Sequence, residues 1–171
     1  MNKQGAFGTI LLSLIIIFAQ VFVFKDLVLF GVAFCFFYVL ALLLIPVETN
    51  PMLQIVIGFV IGLITDAFYS TQGVHASAAT FLMFVRPFWI NILNPGTGYG
   101  AVDRINIRTQ GVQWFLTYTY PLILLHCLIL FFVEAFGFAN FLITLSKAFF
   151  SSLFTLVVVL IIQYLFLNKA K

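Results

Sequence analysis

The chain has 171 residues, of which 64% are hydrophobic and 8% charged. A soluble domain carries roughly 25% charged residues, so eight basic and five acidic side chains cannot cover a water-facing surface of this size. Intrinsic disorder needs low hydrophobicity and high charge and is excluded on the same ground; 23 phenylalanines are also more than a small aqueous core can hide.

A helix that spans a bilayer needs about 20 mostly apolar residues. Polar breaks divide the chain into six such stretches, and the expected fold is an all-α membrane protein with six transmembrane helices in one bundle. The first stretch, 7–24, is closed by Lys25 and Asp26. Its apolar run exceeds the core of a signal peptide and no A-x-A cleavage site follows, so it is expected to be retained. The second, 27–45, is closed by Pro46, Glu48, Asn50 and Pro51; the third is 52–69 and the fourth 74–93. A polar stretch from Asn94 to Gln113 precedes the fifth, 114–133, and Glu134, Gly137 and Asn140 lead into the sixth, 141–167. Each stretch is solidly apolar rather than alternating, which favours helices over an outer-membrane barrel. No length remains for a soluble domain.

Short loops rich in Lys and Arg stay in the cytoplasm. With the N-terminus inside, Lys3, Arg104, Arg108, Lys169 and Lys171 fall on the cytoplasmic side, against Lys25 and Lys147 outside. Both termini are therefore expected inside, and the net charge of +3 reflects orientation rather than nucleic-acid binding. Lys147 would snorkel to the outer interface.

Ionisable and polar groups within a span are costly, and each is a functional candidate. In the third stretch Gly58, Gly62 and Asp66 recur every fourth residue and share one helix face. Two glycines four apart allow close approach of another helix. Asp66 continues that face, either as part of a packing stripe near the outer interface or as a buried acceptor that fixes the following turn. That turn contains Gly73, and His75 opens a run of small residues. Arg86-Pro87 poses a length problem: the residue before proline disfavours helix, so a short fourth helix is expected, with 88–93 lying in the inner interface.

Gly58-Phe-Val-Ile-Gly62-Leu-Ile-Thr-Asp66, then Gly73-Val-His75-Ala, resembles the core motif of the rod shape-determining MreD family. Arg86 falls where members of that family often carry a basic end to the fourth helix. Arg86-Pro87, the 94–99 turn, Tyr118, His126 and Glu134 resemble one branch of it, although the last stretch lacks a proline that members often carry. The resemblance implies an inner-membrane partner of MreC in the cell-elongation complex, coupling MreB filaments to peptidoglycan synthesis by RodA and a transpeptidase. It also implies a fold similar to the substrate-binding subunits of energy-coupling-factor vitamin transporters.

The remaining signals are weaker. Gly96-Thr-Gly98-Tyr-Gly100 lacks the strand and helix a phosphate-cradling loop needs and reads as a cytoplasmic loop. Arg104 and Arg108, four apart, could face anionic lipid or a cytoplasmic partner. Cys35 and Cys127 have no metal-type spacing and read as small core residues. His126 is expected to be neutral and to share a hydrogen bond with a neighbouring helix. Asp66, Asp103 and Glu134 fall in separate segments, and no Ser or Cys has an activating context, so neither enzymatic activity nor a cofactor is expected. The alternatives to a scaffold are a solute-binding transporter subunit with a pocket around Tyr69, Gln72 and His75, or a small proton-coupled transporter using Asp66 or His126.

Overall fold

A computed structural model describes residues 3–93, 105, 107–137 and 140–165. The chain is mostly helical, and four of its helices are long and apolar enough to cross a membrane. These are α3 (Pro51–Tyr69), α4 (Val74–Leu93), α6 (Val112–Glu134) and α7 (Phe141–Leu165). Helix α1 (Lys3–Ala19) precedes them and widens into a π turn over Gln20–Phe24; the short α5 (Ile107–Gln110) leads into α6. Gly96–Gly100, Arg104, Lys169 and Lys171 lie outside the described residues.

The long helices form an antiparallel series in which α3 packs on α4, α4 on α6 and α6 on α7. Local chemistry sets the ends of α3. Asn50 is its N-cap, with Oδ1 accepting from the Met52 N–H at 2.8 Å, and Pro51 occupies the first turn, where its missing N–H costs nothing. At the other end Ser70 adopts the left-handed conformation and closes the helix. Lys25 Nζ then donates to the Phe68 carbonyl at 2.8 Å, tying the end of α1 to the end of α3.

The second apolar stretch is not the expected helix over 27–45. It forms a small antiparallel hairpin, β1 (Val28–Leu29) with β2 (Ala33–Phe34), then an extended run, then the five-residue α2 (Val39–Leu43). At the hairpin tip Phe30 and Gly31 both take positive φ, +54° and +68°, which no helix accommodates. Phe34 and Phe36 follow in extended backbone, which aromatics favour, and Phe37 and Tyr38 turn the chain into α2. From Cys35 to Leu43 every residue is buried, so this run is apolar because protein surrounds it. Hydropathy alone does not distinguish the two environments.

Helix α4 also differs from the expected short form. It continues through Arg86-Pro87 to Leu93. Arg86 is wholly buried within the bundle, and Pro87 removes a single helical hydrogen bond rather than ending the helix.

The closest helix contact is α3 on α4. A Cβ built on Gly62 would lie 2.4 Å from Ala76 Cα and 2.7 Å from the His75 carbonyl oxygen. On Gly58 it would meet Met83 Cγ at 2.7 Å and the Ala79 carbonyl oxygen at 2.9 Å. Backbone blocks the first position, whereas a flexible side chain forms part of the obstacle at the second. Gly62→Ala is therefore expected to cost about 1–3 kcal/mol by overpacking, and more than Gly58→Ala. Thermal unfolding of both variants in detergent checks the order.

Candidate functional site

Two buried polar clusters, one at the start of α4 and one in its second half, hold the bundle together. The first surrounds Asp66. Its Oδ1 accepts from Thr71 Oγ1 at 2.5 Å and from the His75 N–H at 3.0 Å, and its Oδ2 accepts from the Ala76 N–H at 2.9 Å. His75 Nδ1 lies 3.1 Å from the same Oδ1. The carboxylate therefore caps the N-terminus of the next helix, where first-turn N–H groups lack partners and the helix dipole favours negative charge. A carboxylate oxygen only accepts, so the His75 contact is made through an Nδ1–H. His75 Nε2 is buried and has no hydrogen-bond partner among the described residues. Gly73, at φ +82°, allows the turn that brings His75 back under Asp66. Asp66, Gly73 and His75 thus meet in one turn, and Gly58 and Gly62 lie on the α3 face that carries it.

The second cluster surrounds Arg86, about 17 Å further along α4 from His75 at 1.5 Å per residue. Its Nε donates to Tyr118 Oη at 2.7 Å and its Nη1 to Gln54 Oε1 at 2.6 Å. Nη2 donates to the Leu43 carbonyl at 3.2 Å and to the Ile45 carbonyl. Tyr118 Oη also donates to the Leu43 carbonyl at 3.1 Å. These two carbonyls belong to the end of α2, where helical partners run out, so the guanidinium closes that end. Arg86 is therefore separate from the Asp66 cluster. All its partners are neutral, and a planar five-donor fork can serve acceptors on three sides at once.

Between the clusters the extended run passes through the bundle, and polar side chains complete its backbone hydrogen bonding. Ser151 Oγ accepts from the Phe34 N–H at 2.9 Å, and Thr155 Oγ1 accepts from the Phe36 N–H at 3.0 Å. Two residues of strand advance about 6.6 Å and four of helix about 6.0 Å, so hydroxyls four apart on α7 match alternate amides of the strand. On the opposite side Gln20 Nε2 donates to the Cys35 carbonyl at 3.0 Å and to Tyr69 Oη at 2.5 Å, and Gln20 Oε1 accepts from the Tyr38 N–H at 3.1 Å. Tyr38 Oη lies 2.6 Å from His126 Nε2. His126 is thus paired with Tyr38, the N-cap of the short neighbouring helix α2, and its Nδ1 has no partner among the described residues. Cys35 and Cys127 are free and buried.

Reading the sequence for charge and glycine missed Gln20, Gln54, Ser151 and Thr155. Their signal was available: a glutamine within an apolar stretch is costly unless it answers a backbone group, and Ser and Thr at a four-residue spacing mark one helix face. Against known family models, curated proteins and solved structures, the chain has no match.

Two substitutions test the clusters. Asp66→Asn turns an amide N–H₂ toward donors and is expected to cost about 1–3 kcal/mol. Arg86→Lys keeps the charge but cannot reach Tyr118, Gln54 and both carbonyls together; it is expected to destabilise nearly as much as Arg86→Met. Thermal melts in detergent, compared with wild type, read out both.

Proposed function

We propose that this protein is a non-enzymatic scaffold of the bacterial inner membrane, of the MreD kind, which binds MreC within the cell-elongation complex. On this reading MreB, RodA and a transpeptidase are further members of the assembly. Six crossings follow if α1 with its π turn and the discontinuous 27–45 segment each traverse the bilayer beside the four long helices. Both termini then lie in the cytoplasm, and the architecture is similar to that of energy-coupling-factor substrate-binding subunits. The observation that carries the reading is the commitment of Asp66 and Arg86 to the fold. Each ionisable side chain binds backbone groups of an adjoining segment, as expected of a body whose task is to hold shape and present a surface. Affinity purification of the chain from inner membranes in mild detergent is expected to recover MreC. Recovery of the folded chain without MreC overturns the proposal.

A second reading rests on the unpartnered His75 Nε2 and His126 Nδ1. Buried imidazole nitrogens without partners suit a solute-binding or proton-coupled transporter, in which a polar ligand or a proton takes them. Thermal stabilisation by a vitamin-like compound, or loss of uptake in His126→Gln with the fold intact, would favour it over the scaffold.

A further inference from the structure

A groove of about 590 Å³ lies between the start of α3 and the second half of α4. This is within the roughly 300–1,000 Å³ of small-molecule sites. Its apolar walls include Ile55, Phe84 and Phe88, and the two phenylalanines are more than half exposed on the outside of the bundle. Its polar groups gather toward the end where α3 begins and α4 ends: Glu48, Thr49 and Asn91, with Gln54 already committed to the Thr49 carbonyl and to Arg86. Glu48 is exposed, it is the one charged residue lining the groove, and it makes no ion pair among the described residues. Met83 and Pro87 line the same wall.

The groove is therefore apolar along its length and polar at one end, where it carries one acidic side chain. Its α4 wall, residues 83–91, runs about 12 Å along the axis, close to the roughly 15 Å of one leaflet's hydrocarbon. A spanning helix of a partner would need a seam about twice as long. The geometry points to a phospholipid of the adjoining leaflet with a primary-amine headgroup, phosphatidylethanolamine in chemical class. Its ammonium meets Glu48, its phosphate reaches the Thr49 hydroxyl and the Asn91 amide, and one acyl chain lies against Ile55, Phe84 and Phe88. An anionic headgroup is disfavoured because it would set a second negative charge beside Glu48. This inference requires a membrane-embedded chain and is independent of MreC binding.

Native mass spectrometry of the full chain, released from detergent micelles doped with equal amounts of phosphatidylethanolamine, phosphatidylcholine and phosphatidylglycerol, tests it. The expected result is one phosphatidylethanolamine per chain, retained in preference to the other two. Glu48 is exposed, so its substitution leaves the core untouched. Glu48→Gln is expected to weaken the preference about threefold, the scale of an exposed ion pair, and Glu48→Lys to shift it toward phosphatidylglycerol. Equal retention of the three lipids, a preference unmoved by both variants, or a lipid-free dimer would overturn the assignment.

Discussion

Backbone N–H and C=O groups cannot be left open in a lipid-solvated interior, and the rest of this structure depends on that requirement. Helices meet it internally. Here, however, the stretch from 27 to 45 abandons the helix after Phe30 and Gly31, and its amides and carbonyls must be answered from elsewhere. Gln20 supplies both a donor and an acceptor, Ser151 and Thr155 supply acceptors, and Arg86 with Tyr118 closes the last carbonyls. Four different helices thus contribute polar groups to one strand of chain.

The two buried charges of the long helices, Asp66 and Arg86, follow the same logic with opposite signs. Asp66 answers surplus N–H groups at the start of α4, and Arg86 answers surplus C=O groups at the end of α2. Each suits the helix end it serves, because the dipole places partial positive charge at an N-terminus and partial negative charge at a C-terminus. Neither needs a counter-ion in its hydrogen-bonding set. This makes a buried aspartate and a buried arginine compatible with a bundle whose remaining interior is hydrocarbon.

Much of this was legible in the sequence, and the omissions have a common cause. Four long helices were visible as apolar runs, and the observed α4 shares both its ends with the apolar stretch 74–93. Gly58, Gly62 and Asp66 were visible as a four-residue repeat, since helical periodicity is a local property. The segment 27–45 was misread because an apolar run reports dryness, and dryness is the same against lipid and against protein. Its Phe30-Gly31 tip and dense aromatics were the available sign of extended backbone. The passage of α4 through Arg86-Pro87 was not legible because that pair was weighed by its own preferences, without the carbonyls of 43 and 45 that come from a segment 41–43 residues away. Side chains such as Gln20 and Thr155 acquire meaning only when distant backbone is brought against them.

The partners of the second stretch also impose an order of assembly. Phe34 and Phe36 bond to residues 117 and 119 positions later in the chain, so the groups that complete this early segment are among the last to be synthesised. Until α7 is in place, those two amides have no protein hydroxyl to meet. A chain made from its N-terminus therefore completes its centre last, with the final helix closing a structure begun by the first.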